Sequence, residues 1–355
     1  GREKCTEQLL HGFRYPSSPQ RLIFEVQWRN ACRDLPVRRG VLRKEKTMKA
    51  VLSAKSGPPE VLEYTEMPKP VPKSGEVLVK VRFATVTQGD VKLRGFSRLM
   101  LTVLGALFGF KPMRIPGVEY SGDVVETGGQ VTSFVKGDAV CGTTTGLRYG
   151  ANAEYVCVPE NPKHGVITHK PGGVDYRQAA ALPVGFMTAM ELLRPGGIEE
   201  GERVLINGAS GSVGSYAVQL AALAGAHVIG VCGPDNLELV ASLGADEVID
   251  YTKADFTTEG RNLHVIFDAV GKVSKSDCTH ALVPGGRFVT VRSRTKERAE
   301  LLDRGLELLN EGKIKSVVDR EYTLEEIVAA HRYVEGGHKK GNVVIKVAEE
   351  QEPGE

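Results

Sequence analysis

The chain has six cysteines in 355 residues, and no two of them form a C-x-x-C pair. Cys5, Cys32, Cys141, Cys157, Cys232 and Cys278 fall at no metal-ligand spacing. Scattered thiols of this kind read as small core residues kept reduced, which fits a reducing compartment. Long apolar runs are missing too, since none reaches the ~18 residues of a membrane span. The nearest, LMLTVLGALFGF over 99–110, is short and contains two glycines. It reads as core, or as an apolar loop or helix beside a pocket. Nor is there a basic body. The net charge of +2 conceals a split: residues 1–47 carry 11 Lys and Arg against 5 acids, leaving residues 48–355 at −4. A mildly acidic body argues against a nucleic-acid surface. There is no internal repeat, no Ser/His/Asp set and no paired carboxylate.

What is present is a chain long enough for two domains. Residues 1–47 are arginine-rich and lack apolar periodicity. A mitochondrial presequence would be poor in acids, whereas this stretch holds Glu3, Glu7, Glu25, Asp34 and Glu45. It is expected to be a disordered extension or translated upstream sequence, with a targeting segment as the alternative, and the protein is expected in the cytoplasm. From 48 to about 170, EVLVKVRFATV (76–86), SGDVVETG (121–128), DAVCG (138–142) and AEYVCVP (153–159) are short, turn-bounded strands of a mostly antiparallel β domain. After about 173, apolar strands at 203–207, 227–232, 263–269 and 287–291 alternate with helical patterns, which predicts a doubly wound parallel sheet. The tail holds a helix over 298–312 and a strand in GNVVIKV. Between them lies a second helix near 323–335, opened by Thr323 with Glu326 as a capping box.

The stretch VLINGASGSVGSYAVQLAALAGAHVIGV (204–231) joins a strand to a helix through a glycine cluster. Gly208, Gly211 and Gly214 are spaced three apart, and Ala209-x-Gly211-x-x-Gly214 is the dinucleotide fingerprint with its first glycine replaced by alanine. At Gly211 the backbone must approach a pyrophosphate, and Gly214 lets helix and strand pack closely. The helix N-terminus offers unpaired N–H groups and positive dipole to the phosphates. Ser210, Ser212 and Val213 complete the turn.

MKAVLSAKSGPPEVLEY, PGVEYSGDVVETGGQVTSFVKGDAVCG, NGASGSVG, SLGADEVIDYTKADF, FDAVG, PGGRFVTV and GHKKGNVVIKV together resemble the medium-chain dehydrogenase/reductase superfamily, in its zinc-free quinone oxidoreductase branch. The resemblance covers nearly all of 48–348. It implies an α/β protein whose GroES-like catalytic domain (48–172 and 298–348) is built from both chain ends around a Rossmann domain (173–297). It also implies hydride transfer from a nicotinamide cofactor, with Val270 and Gly271 of FDAVG and Asn342 of the tail beside that cofactor.

Zinc alcohol dehydrogenases of this superfamily carry a Cys and a His where TQGD (87–90) and GVE (117–119) stand here. Thr87 and Val118 occupy those places, and neither supplies a soft or imidazole ligand. Only Cys141 and Cys157 fall where a structural four-cysteine lobe would lie, so no zinc is expected. Without a Lewis acid, carbonyl polarisation must come from hydrogen-bond donors. That suits quinones and α,β-unsaturated carbonyls, whose β-carbon accepts hydride directly. The resemblance places Lys92 on a pocket lysine; Thr87 and Gln88 are candidate cleft donors, Tyr149 a candidate pocket residue, and Asp90 orders the loop.

NAD-specific sites end the second strand with an acid that bonds the ribose 2′-hydroxyl. Here Cys232-Gly233-Pro234-Asp235-Asn236 follows the strand, and the acid is absent. Tyr251 matches a family tyrosine that contacts a 2′-phosphate, whereas Asp235 stands near the usual basic residue. NADP(H) is therefore expected over NAD(H), with a small quinone or enone as partner. Only RSRTKE separates PGGRFVTV from the helix near 298, where relatives have a further strand and join as dimers. The homodimer is left open. A metal-independent alcohol dehydrogenase and a non-catalytic NADPH-binding sensor are the competing readings.

Overall fold

The computed structural model describes residues 47–96, 103, 107, 115–145, 149–194, 197–257 and 262–348. The arginine-rich extension lies outside them except for Thr47, and of the apolar run 99–110 only Val103 and Leu107 are described. Both are helical and exposed, at 51% and 72%. Residues four apart share one helix face, and this face is turned outward. The core reading of the run fails at these two positions.

Strands β1 (Thr47–Ser53) and β2 (Leu62–Pro68) form an antiparallel ribbon. Then follow β3 (Glu76–Val86), helix α1 (Gln88–Gly95), β4 (Glu119–Thr127), β5 (Ala139–Thr143), β6 (Tyr155–Pro159) and β7 (Val166–His169). Alternation along β3 sends Val77, Val79 and Val81 into one apolar cluster with Tyr120, Val140 and Val156. Two helices, α2 (Tyr176–Ala181) and α3 (Pro183–Leu193), lead into a second region. It runs β8 (Arg203–Asn207), α4 (Ser212–Leu223), β9 (His227–Cys232), α5 (Leu237–Ser242), β10 (Glu247–Asp250), β11 (Leu263–Asp268), α6 (Lys275–Cys278) and β12 (Leu282–Thr290). The chain closes with α7 (Ala299–Asn310), β13 (Val318–Thr323), α8 (Ile327–Glu335) and β14 (Asn342–Lys346).

The five strands β8 to β12 form one parallel sheet in the order β10-β9-β8-β11-β12. This is the doubly wound order with the switch point beside β8. Its alternate residues separate cleanly: Val204, Ile206, Val265 and Phe267 pack with α3 and α4, while Leu205 and Ile266 join a cluster on the other side. Residues Val291–Arg298 contain no strand, so the sheet ends at β12. The other large sheet has the order β13-β14-β3-β4-β5-β7, with β6 also on β3. Strand β14 pairs antiparallel with β3, and β13 parallel with β14.

Packing blurs two boundaries drawn from the sequence. Helix α2, beyond 173, packs on β3, β4 and β14, and the Ser121 hydroxyl donates to the Tyr176 carbonyl at 2.5 Å. Helix α7, beyond 298, buries Leu302, Leu306 and Leu309 with Phe186 of α3 in the Rossmann-side cluster. A Cβ on Gly305 would stand 2.7 Å from the Phe186 ring, so glycine admits that contact. The cap expected at Thr323 also differs. Thr323 is committed to β13, opposite Lys346, and the helix starts at Ile327. Only half of the reciprocal bonding forms: Glu326 Oε2 accepts the Thr323 N–H at 2.8 Å.

Helix α8 buries Ile327, Ala330 and Val334 against the antiparallel sheet and is tied to α1 by a buried guanidinium. Arg94 donates to the Gly57 carbonyl at 3.0 Å, to Glu335 at 2.8 Å and to His331 Nδ1 at 3.0 Å. Because arginine cannot accept, His331 is neutral with its proton on Nε2, which has no partner among the described residues. Burial first, and then the Arg94 charge, push its pKa down to about 3. Between about pH 3 and 6.5 the unfolded chain binds the proton that the folded one refuses. Stability from this residue is therefore complete above pH 6.5 and falls with acid by about 1.4 kcal/mol per pH unit. Denaturant titrations at pH 7 and 5 should show His331→Gln losing roughly 2 kcal/mol less than the wild type. Equal losses would mean that His331 does not titrate this way.

Candidate active site and cofactor cleft

At the end of β8 the backbone turns through Gly208, with φ +77°, into the N-terminus of α4. The N–H groups of Gly208 and Ala209 bond the Val231 carbonyl at 3.0 and 2.9 Å, which fastens the turn to β9. Ala209 is fully buried and faces Gly230, so alanine fits where the fingerprint usually has glycine. A Cβ on Gly214 would overlap the Gly208 carbonyl oxygen, so this position admits only glycine. At Gly211 the nearest atom to such a Cβ is 3.4 Å away, and the backbone is extended (φ −78°, ψ 176°). A side chain there is sterically tolerable but would fill the space in front of the helix. The N–H groups of Ser212, Val213 and Gly214 open α4 and have no partner within the helix.

The chain's tail meets this turn. Gly341 N–H donates to the Ser210 carbonyl at 2.7 Å, and Gly211 and Gly341 form a parallel bridge. The Ser212 hydroxyl donates to Asn342 Oδ1 at 2.6 Å, and Asn342 Nδ2 to the Val317 carbonyl at 3.2 Å. Asn342 thus reaches the turn, with its amide committed to protein partners. Loop 269–273 lies on the other side. Buried Asp268 accepts the N–H groups of Val270 and Gly271, both at 3.0 Å, and the Asn207 amide at 3.0 Å. Val270 Cγ2 stands 2.6 Å from where a Gly208 Cβ would be, so the loop abuts the turn.

Past β9, Cys232 is buried and Asp235 is exposed on a single 3₁₀ turn, Pro234–Asn236. The Tyr251 hydroxyl lies 3.4 Å from a Cβ built on Gly233. Asn236 Oδ1 is buried without a partner among the described residues, an acceptor awaiting a donor. A glycine cradle with open space at Gly211 and this orphaned acceptor one strand away fit an adenine dinucleotide.

The remaining candidates belong to the region of the antiparallel sheet. Thr87 caps α1: its hydroxyl donates to Asp90 Oδ2 at 2.6 Å and accepts the Asp90 N–H at 3.2 Å. That commitment removes Thr87 as a free cleft donor. Gln88 is exposed and its amide donates to the Val334 carbonyl at 2.7 Å; Lys92 is exposed on α1. Buried Asp90 also accepts the Gly117 N–H at 3.2 Å, yet desolvation outweighs these bonds and holds its pKa above the usual carboxylate range. Tyr149 has φ +49° and is half-buried, and its phenol is pushed up to about 12 by burial, then by Asp90 and Glu297. It stays protonated at neutral pH.

Three titratable groups escaped the sequence reading. Glu119 is buried; Thr85 donates to its Oε2 at 2.5 Å and the Val184 N–H to its Oε1 at 2.7 Å. Desolvation still raises its pKa to about 7. Lys339 is half-buried, donates to the Gly341 carbonyl, and is held down to about 8 by burial against the pull of Glu119 and Asp319. Glu297 accepts from Thr145, and burial raises its pKa. Glu119 was visible in GVE, and Lys339 in GHKKGN, but neither stretch shows which charges become buried. Among the described residues, no group of three or more His, Cys, Asp or Glu is placed to hold a metal.

The family model for the alcohol dehydrogenase GroES-like domain matches residues 73–168, and that for the zinc-binding dehydrogenase matches residues 212–328. The chloroplastic quinone-oxidoreductase homolog of Spinacia oleracea is 32% identical over 331 residues, covering 83% of this chain and 96% of that protein. This chain belongs to the medium-chain dehydrogenase/reductase superfamily, among its quinone oxidoreductase-like members. Another such member, the mitochondrial NAD(P)H oxidoreductase RTN4IP1 of Mus musculus, is 31% identical over 90% of this chain and 95% of its own. The 2-methylene-furan-3-one reductase of Solanum lycopersicum is 32% identical over 77% of this chain and 72% of its own. Among solved structures, the quinone oxidoreductase from Coxiella burnetii superposes with a TM-score of 0.75 at 29% identity, covering 85% of this chain and 100% of that one.

Within this superfamily fold the two glycines should separate experimentally. Gly211→Val should keep its thermal midpoint within a few degrees and lose at least tenfold in NADPH affinity by fluorescence titration. Gly214→Ala should lose about 1–3 kcal/mol of stability, because its methyl meets backbone that cannot yield. Unchanged affinity in folded Gly211→Val would remove the pyrophosphate from this turn.

Proposed function

We propose that this chain reduces quinones or α,β-unsaturated carbonyls with NADPH, by hydride transfer that needs no metal. The observation that carries the reading is the chemistry at the two positions where zinc enzymes of the superfamily hold the metal. Thr87 is committed to Asp90, and Val118 offers only carbon. Such a pair suits a substrate activated by its own conjugation. The names of the spinach, tomato and Coxiella relatives, which are quinone and enone reductases, support the substrate class. An unactivated alcohol would need a strong deprotonating group or a Lewis acid, so the metal-independent alcohol dehydrogenase is the weaker reading.

When bound, the reduced nicotinamide supplies the hydride. The residues of the chain do the rest. The α4 N-terminus and the turn from Gly208 to Gly214 receive the pyrophosphate, with Gly211 leaving the room. Asn236 offers its unpaired acceptor to the adenosine half, and Val270 closes the turn from above. The Tyr149 phenol, kept protonated, can donate to the oxygen on which charge develops. Hydride adds at the β-carbon, the carbonyl oxygen gains the negative charge, and a proton from solvent completes the reduction.

The choice of NADPH rests on buried Cys232 where an acid would hold a ribose hydroxyl, on the exposed side chain of Asp235, and on Tyr251 beside Gly233. The localisation reading also shifts. The spinach and mouse relatives are named as chloroplastic and mitochondrial, which supports a targeting role for residues 1–47 over a cytoplasmic home.

The deciding assay follows NADPH and NADH oxidation with 1,4-benzoquinone, 9,10-phenanthrenequinone, an enone and an aldehyde, with and without a strong chelator. Quinone or enone turnover with NADPH, unaffected by chelation, is the expected result. Tyr251→Phe should weaken NADPH several-fold and leave NADH unchanged. One tightly bound zinc per chain, lost together with activity, would overturn the metal-free mechanism. Cofactor binding without turnover of any substrate would leave a sensor in place of an enzyme.

A further inference from the structure

We infer that Lys340, from the loop between α8 and β14, is the cation that recognises a phosphate monoester on the adenosine ribose. The inference rests on the NADPH reading above and assigns its selectivity to a residue 105 positions away from the loop that usually carries it.

The geometry is specific. Lys340 Nζ lies 3.2 Å from the carbonyl oxygen of Asp235, on the turn that follows β9. The lysine is delivered there by two anchored neighbours. Its own N–H donates to Asp319 Oδ2 at 2.9 Å, an atom that also accepts the Tyr333 hydroxyl at 2.6 Å. Next in the chain, Gly341 is bonded to the Ser210 carbonyl of the glycine turn. The ammonium is thus fixed between the place for the pyrophosphate and the place for the adenosine.

Its nearest carboxylates are engaged elsewhere: Asp319 accepts the backbone N–H of Lys340, and the side chain of Asp235 is exposed. Among the described residues no carboxylate forms an ion pair with the Lys340 ammonium, whose only hydrogen bond there is to a neutral carbonyl. By contrast Lys253, near Tyr251 in sequence, has Asp250 at 3.6 Å. The turn Gly233–Asn236 carries no cation of its own, and its one acid, Asp235, has an exposed side chain. Tyr251 borders the same Gly233 backbone. An ammonium with two further N–H donors and a phenol thus flank one turn. A ribose phosphate placed there gains a charge-assisted hydrogen bond, whereas a ribose hydroxyl gains little.

The test compares adenosine 2′,5′-bisphosphate (2′,5′-ADP) with 5′-AMP, which differ only in the 2′-phosphate, by calorimetric titration of the full chain at low and high salt. Wild type should bind 2′,5′-ADP at least tenfold more tightly. Lys340→Met should cut that ratio at least fivefold, leave 5′-AMP affinity unchanged, and flatten the salt dependence; Lys340→Arg should restore most of the ratio. Lys340→Gln serves in place of Met should the latter not fold. A wild type without preference would overturn the NADPH reading and this inference with it. A preference that survives in folded Lys340→Met or Lys340→Gln would overturn the inference alone. Equal weakening of both ligands would do the same, because it would mark the lysine as structural.

Discussion

A single backbone hydrogen bond, the Gly341 N–H donating to the Ser210 carbonyl, ties the antiparallel sheet to the glycine turn of the parallel one. Strand β14 begins one residue later and pairs with β3, while Ser210 sits one residue before the tightest part of the turn. The contact leaves no slack. Gly341 has φ +45°, and a Cβ there would overlap the Val317 carbonyl oxygen, so the tail follows this path only as glycine. Ser212 and Asn342 repeat the link with side chains. The relative position of the glycine turn and strand β14 is therefore set by short-range backbone sterics. Long flexible side chains contribute little to it.

Asp90 and Glu119 are buried and Glu297 is half-buried, and each accepts hydrogen bonds that favour the ionised form. In all three, desolvation prevails and the pKa rises. On the surface the balance reverses: Glu160 and Asp277 accept similar bonds and their pKa values fall. The number of bonds does not decide the sign; the lost hydration does. Lys339 is the counterweight, with a lowered pKa of its own. Burial thus raises the pKa of Glu119 and lowers that of Lys339, and each opposes the shift of the other.

Much of this was legible in the sequence, and the unread remainder has a common cause. Glycine spacing and apolar alternation are local, and they predicted the turn at 208–214, the parallel strands and the antiparallel β domain. Sequence could not show that the Thr87 hydroxyl is committed to Asp90 three residues on, because a capping threonine and a cleft threonine have the same side chain. It misplaced the start of α8, since Thr323 and Glu326 do bond but the strand claims the threonine first. The leucines of α7 announced an apolar face without saying which sheet would receive it. Glu119 and Lys339 lie 220 positions apart and become partners only through the fold.

The split arrangement of the chain gives the tail a role at the cofactor. In the proposed binding mode, a dinucleotide along the ends of β8 and β9 would set its pyrophosphate at the glycine turn and its adenosine at the turn after Cys232. The loop 336–341, which returns from α8 to β14, touches both places: Gly341 at Ser210 and Lys340 at Asp235. The Lys339 ammonium is bound to the same loop and lies within the field of Glu119 on β4. Any shift of the cofactor backbone must therefore move a loop that is continuous with the catalytic sheet. A Rossmann unit followed by no further chain would bind the same dinucleotide with neither of these contacts. Placing β14 after the nucleotide domain in sequence is what brings one short loop against both the glycine turn and the turn after β9.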